Sequence, residues 1–86
     1  MKIYNFNGKS NISGERIREA RKKLHLSQEY LAARMQVAGI IIERDVISRI
    51  ETGTRFVPDY EIPIFAKVLN VSTDWLLGLT DDPKVK

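Results

Sequence analysis

Between Ser13 and Gly78 the apolar residues fall into short runs with helical spacing, each bounded by a capping residue, a glycine or a proline. That punctuation predicts an all-α chain of five short helices. Ser13 is read as the cap of the first, with Glu15 in the first turn, where the helix dipole favours an acid. Ile17, Ala20 and Leu24 follow at helical spacing, and the helix ends near Leu24. Ser27 caps the second helix, Glu29 lies in its first turn, Leu31 and Met35 share a face, and Ala32 and Ala33 let a neighbouring helix approach. Gly39 is its stop, because glycine tolerates the left-handed backbone that ends helices.

The β-branched run Ile40-Ile41-Ile42 is read as extended. A third helix begins near Glu43 or Arg44, buries Ile47 and Ile50, runs to about Thr52 and ends at Gly53. Pro58-Asp59 opens the fourth, with Ile62, Phe65, Ala66 and Leu69 inward and Pro63 early enough that its missing N–H costs little. Ser72 caps a short fifth helix holding Asp74, Trp75, Leu76 and Leu77, followed by Gly78. Outside this region, Lys2–Phe6 reads either as a short strand turning at Asn7-Gly8 or as a flexible arm. Thr80–Lys86 reads as a frayed polar tail. The expected organisation is an arm over residues 1–13, a helical domain over 14–79 and a tail over 80–86.

Composition removes several function classes. With 86 residues the chain has one domain's worth of sequence, and it contains no cysteine and a single histidine, His25. Disulfides, cysteine metal sites and multi-histidine metal sites are therefore excluded. His25 lies between the first two helices and is assigned to the turn. No apolar run reaches membrane-spanning length and no secretion-signal order is present, which predicts a cytoplasmic protein without membrane contact. No nucleophile–base pair, phosphate-cradling glycine loop or metal spacing stands out, so neither an enzyme nor a cofactor is expected. Net charge is +3, unevenly distributed: residues 1–57 carry 11 Lys or Arg against 6 Asp or Glu, and residues 58–86 carry 3 against 5. A basic front and an acidic back suit a protein that offers one end to phosphates; the alternative is chance segregation of solvated charge.

Four segments taken together are specific: Leu26-Ser27-Gln28-Glu29 with Leu31-Ala32; Ile47-Ser48-Arg49-Ile50-Glu51 with Gly53; Phe65 to Ser72; and Asp74-Trp75-Leu76-Leu77-Gly78. In this order they resemble the Cro/repressor-type, or XRE-like, helix-turn-helix family, over about residues 14–79. The resemblance implies a five-helix repressor-like DNA-binding domain whose helix-turn-helix is formed by helices 2 and 3. Helix 3 is then the recognition helix, lying in the major groove. With Ile47 and Ile50 inward, its opposite face offers Arg44, Asp45, Ser48 and Arg49 as base contacts: arginine pairs with guanine, aspartate accepts from cytosine, serine serves either kind of base. Gln28, Thr52, Thr54 and Arg55 match phosphate contacts, Gln28 at a helix N-terminus. Arg21 and Glu51 match an internal ion pair that joins helix 1 to the end of helix 3. One departure is a longer stretch between Leu31 and Ile47, the extra segment being roughly Gln36–Ile41.

The implied function is sequence-specific binding of double-stranded DNA at a near-palindromic site by a homodimeric transcriptional repressor. The alternative is a protein-interaction module on the same fold, such as an antitoxin or the partner of another regulator. In that case the isoleucine run or the fifth helix is the working surface. Trp75 is assigned to the core, and Leu76, Leu77 or Leu79 to a dimer contact.

Overall fold

The computed structural model of the chain describes residues 6–85. Five α-helices follow one another: α1 (Gly14–Lys23), α2 (Gln28–Val37), α3 (Arg44–Thr52), α4 (Ile62–Leu69) and α5 (Thr73–Leu76), with a 3-10 turn at Asp59–Glu61 leading into α4. There is no β-strand among the described residues, only an isolated bridge between Phe6 and Lys9. The proposed strand at Lys2–Phe6 lies, apart from Phe6, outside them.

Ile17 of α1, Leu31 and Met35 of α2, Ile47 and Ile50 of α3, Phe65 and Leu69 of α4 and Leu76 of α5 are all fully buried and meet in one core. Complete burial of such side chains contributes about 1.5–3 kcal/mol each, the main force holding helices this short. α3 packs against both α1 and α2, so the core fixes which of its faces points out. Trp75 is buried, and Leu76 lies wholly in the core, which leaves Leu77 and Leu79 as the accessible leucines at this end.

Two of the helix starts follow local sequence. The Ser27 hydroxyl accepts from the Tyr30 amide at 3.0 Å, and the Ser72 hydroxyl accepts from the Trp75 amide at 3.0 Å. Ser13 does not act this way. Its side chain makes no capping bond, and the Gly14 amide instead donates to Asn11 Oδ1 at 2.7 Å. The cause is close packing of α1 on α3: a Cβ placed on Gly14 would lie 2.1 Å from the Ile50 carbonyl oxygen. The start of α1 is therefore pressed onto α3 backbone, and Ser13 is buried there. Pro58 and Asp59 open the 3-10 turn, and α4 proper starts at Ile62, with Pro63 in its first turn.

Residues 6–13 are docked. Phe6 and Lys9 exchange backbone hydrogen bonds of 2.7 and 2.9 Å around Asn7 and Gly8, which have φ of 51° and 81°. Positive φ at both central residues is what a tight type I′ turn requires, and Asn-Gly provides it at little cost. The segment is then tied to the end of α3: the Ser10 amide donates to the Gly53 carbonyl at 2.7 Å, and the Asn11 amide group donates to the carbonyls of Ile50 and Arg55 at 3.0 and 2.7 Å.

The polar residues after Gly78 also pack back. The Ser72 amide donates to the Pro83 carbonyl at 2.9 Å. The Arg16 guanidinium, 4.9 Å from the Trp75 ring centre, donates to the carbonyls of Trp75 and Thr80, each at 2.6 Å, and pairs with Asp81 at 2.9 Å. A cation over an indole face with three hydrogen-bond partners fastens this segment to α1, in place of the fraying expected from its polarity.

Candidate nucleic-acid interface

The geometry of α3 starts with its buried residues. Ile47 and Ile50 point into the core, and the helical period then carries Arg44, Asp45 and Arg49 to the exposed side, with Ser48 half-buried at its margin. Thr52, one turn beyond Ser48, donates its hydroxyl to the Ser48 carbonyl at 3.1 Å. Arg44, Ser48 and Thr52 thus form one stripe along the helix, and Asp45 with Arg49 forms its neighbour.

Within that second stripe Arg49 Nη2 donates to Asp45 Oδ2 at 3.0 Å, and Arg49 Nε reaches the Asp45 carbonyl at 3.4 Å. Both side chains remain more than half exposed, at 57% for Arg49 and 60% for Asp45. The aspartate holds one edge of the guanidinium and leaves Nη1 and the second Nη2 hydrogen available to an outside acceptor. Arg44 makes no ion pair among the described residues.

The remaining site residues divide between surface and interior. Thr52 and Thr54 are exposed, with their hydroxyls 3.4 Å apart and each donating to the Arg49 carbonyl, which closes the end of α3. Arg55 is half-buried and turned inward: its Nη1 reaches the buried Glu61 carboxylate and the Phe56 carbonyl at 3.3 and 3.2 Å. Gln28 stands at the first position of α2, with its side-chain amide donating to Glu51 Oε1 at 3.1 Å.

Glu51 is also the partner of Arg21. Arg21 Nε and Nη2 donate to the two carboxylate oxygens at 2.6 and 2.9 Å, and Nη1 donates to the Leu26 carbonyl at 2.7 Å. The side chains are 10% and 2% exposed. A bidentate arginine–carboxylate pair with its remaining hydrogen bonds filled is the arrangement that makes a buried charge tolerable. It joins α1, the α1–α2 turn, the start of α2 and the end of α3 at one point, and so sets the pose of α2 against α3.

The lengthened segment after α2 alternates: Ile42 enters the core, while Ile41 stands 92% exposed and Val37, the last residue of α2, 91% exposed. Gln36 donates to the Ile42 carbonyl at 3.4 Å, anchoring the connector to the helix before it. Sequence reasoning assigned nothing to Asn11, Arg16, Arg18 or Lys9. The first two knit distant segments together. The other two line an open cleft of about 680 Å³ with Glu15, Gln28, Glu51 and Thr52.

Comparison with known proteins places this geometry. The helix-turn-helix family profile matches residues 17–76, which includes all five helices except the first turn of α1. An uncharacterized HTH-type transcriptional regulator, YobD of Bacillus subtilis, is 33% identical over 72 residues, which cover 84% of this chain and 60% of that protein. The chain thus spans less than two thirds of the length of this curated relative.

Proposed function

The chain belongs to the XRE-type helix-turn-helix family, and on that premise we propose that it is a non-enzymatic, sequence-specific regulator that reads the major groove with α3. The observation that carries this reading is the exposed stripe pair Arg44/Ser48 and Asp45/Arg49, held outward by the complete burial of Ile47 and Ile50. Side chains of these types distinguish base pairs by their groove-edge hydrogen-bond patterns, and a good bidentate arginine–guanine pair is worth about 1–3 kcal/mol of discrimination. The N-terminus of α2 at Gln28 and the hydroxyls of Thr52 and Thr54 serve the phosphates bordering the groove. Arg55 serves them once it leaves Glu61.

In this reading two copies bind together, presenting α3 to successive major grooves, so the site is a near-palindrome with half-sites about one helical turn apart. In this reading the protein represses by occupying such a site in a promoter, and the likeness to an HTH-type transcriptional regulator of Bacillus subtilis supports a regulatory role. Selection of duplexes from a random library tests it. The expected result is a palindromic motif that wild-type protein enriches and Arg49→Ala fails to enrich or relaxes at a guanine position. Enrichment of no motif rejects the reading.

The near-complete exposure of Val37 and Ile41 favours a second reading, in which the α2–α3 turn docks a protein. Under it, Val37→Ser with Ile41→Ser abolishes capture of a partner and leaves the selected DNA motif unchanged.

A further inference from the structure

We propose that Lys9 and Arg18 form, with Gln28 and Thr52, a cradle for the DNA backbone, and that the Asn7-Gly8 turn exists to hold Lys9 in it. The proposal rests on the reading of α3 as the groove-reading helix and adds two cations that neither the sequence pattern nor the family match assigns. Several observations bring them together. Lys9, Arg18, Gln28 and Thr52 line the same open cleft, which combines two flexible cations, the first residue of a helix and a hydroxyl. Such a set of donors suits a phosphate oxygen. Arg18 is exposed and makes no ion pair among the described residues.

The placement of Lys9 is built, not incidental. Its backbone closes the tight turn with Phe6, the next residue bonds to the Gly53 carbonyl, and Asn11 holds the carbonyls of Ile50 and Arg55. Its aliphatic stem lies on Gly53 so closely that a Cβ there would come 2.9 Å from Lys9 Cγ and Cδ. Only the ammonium end is left to move, and in the free protein it rests on the Glu15 carboxylate. Glu15 is thus the competitor that a phosphate displaces. The other carboxylate of the cleft, Glu51, is already neutralised by Arg21.

The cleft also lies at the right distance from the reading surface. From Arg44 to Thr52 the helix rises about 12 Å at 1.5 Å per residue, close to the roughly 12 Å width of the major groove. When the start of α3 meets base edges, its Thr52 end therefore reaches the groove wall, where the phosphates are.

Salt titration of binding separates this cradle from base reading. The probes are the duplex selected by the wild type and a scrambled duplex of equal length, with Lys9→Met keeping the stem on Gly53 and Arg18→Gln changing an exposed residue. Each lost phosphate contact lowers the slope of log affinity against log salt by about 0.9, so the defect of each variant shrinks about 3.5-fold between 50 and 200 mM salt. Both duplexes are weakened by the same factor, with base preference unchanged. Glu15→Gln raises affinity, and at least half of that gain disappears in the Lys9→Met background. A slope unmoved by either cation variant overturns the cradle, as does a loss confined to the selected duplex; if Lys9→Met melts early, Arg18→Gln decides alone. The scrambled duplex gives this answer whether or not a selected motif exists, so failure of the cradle and failure of base reading remain separate results.

Discussion

Two ion pairs on α3 invite comparison. Arg21–Glu51 and Asp45–Arg49 have similar lengths, with shortest contacts of 2.6 and 3.0 Å, yet the first is almost sealed from solvent and the second stands mostly in it. Burial gives them opposite meanings. In the first, every polar atom has an internal partner, so the pair is architecture and its value lies in what happens when half of it is removed. In the second, water screens the attraction to at most about 1 kcal/mol, and the two side chains stay exchangeable. An outside ligand can take over their hydrogen bonds, which is what a reading surface needs.

The most severe way to test the contrast is Glu51→Ala. It strands the Arg21 guanidinium and removes the acceptor of Gln28, and a loss of about 3–5 kcal/mol is expected from urea or thermal unfolding. A domain of this size has a total stability of only about 4–13 kcal/mol, so the variant unfolds at a much lower temperature and in places is unfolded at 37 °C. A loss below about 1 kcal/mol would place the buried pair in the same class as the exposed one.

Arg49→Ala addresses the other half of the comparison. Its unfolding midpoint should move by less than about 0.5 kcal/mol, as expected for an exposed residue, while discrimination at one guanine position falls by about 1–3 kcal/mol. Competition binding with single-base variants of the selected duplex measures the second number. Equal losses for all duplexes would turn Arg49 into a phosphate contact and leave base reading to Arg44 and Ser48.

How much of this was legible beforehand follows the same division between local and distant. The exposed stripes of α3 were readable because two isoleucines three residues apart decide, through the helical period alone, where Arg44, Asp45, Ser48 and Arg49 point. The caps at Ser27 and Ser72 were readable for a similar reason: each acts three residues along the chain. Ser13 carried the same local signal and fails, because the approach of Gly14 to the Ile50 carbonyl is a contact between segments far apart in sequence. Asn11 takes the cap there through bonds to Ile50 and Arg55, 39 and 44 positions away. No local spacing marks the role of Arg16, because its partners Trp75, Thr80 and Asp81 lie 59 to 65 positions along the chain. The partner of Arg55, Glu61, lies across the 3-10 turn, at a separation that no helical spacing marks.

Asn11→Ala probes the middle ground, since this side chain is half-buried and serves three backbone groups at once. Losing a helix cap costs about 0.5–2 kcal/mol, and the released carbonyls can find water at this depth. The expected loss of about 1–2 kcal/mol falls between those of the two ion pairs. Hydrogen exchange should locate it at the Gly14 and Ser10 amides; a loss spread evenly over α2 and α4 would mean that the segment before α1 contributes no local order.

The smallest effect belongs to the Lys9–Glu15 pair, and it is best seen as a function of pH. The Lys9 ammonium, by hydrogen bond first and by charge second, holds the Glu15 carboxyl below its ordinary value of 4.5. A carboxyl whose folded pKa is depressed binds its proton more readily when unfolded. Its contribution to stability is therefore complete above about 4.5 and is lost as pH falls through the lower folded value. The melting temperature of wild type should exceed that of Glu15→Gln at pH 7, and the two should converge in acid below pH 4.5. Because Glu15 also occupies the first turn of α1, part of the difference comes from the helix dipole and survives in Lys9→Met. The part that vanishes in Lys9→Met is the contribution of the pair itself. If no part vanishes, the ammonium spends its time away from Glu15 in solution, and a phosphate entering the cleft has no carboxylate to displace.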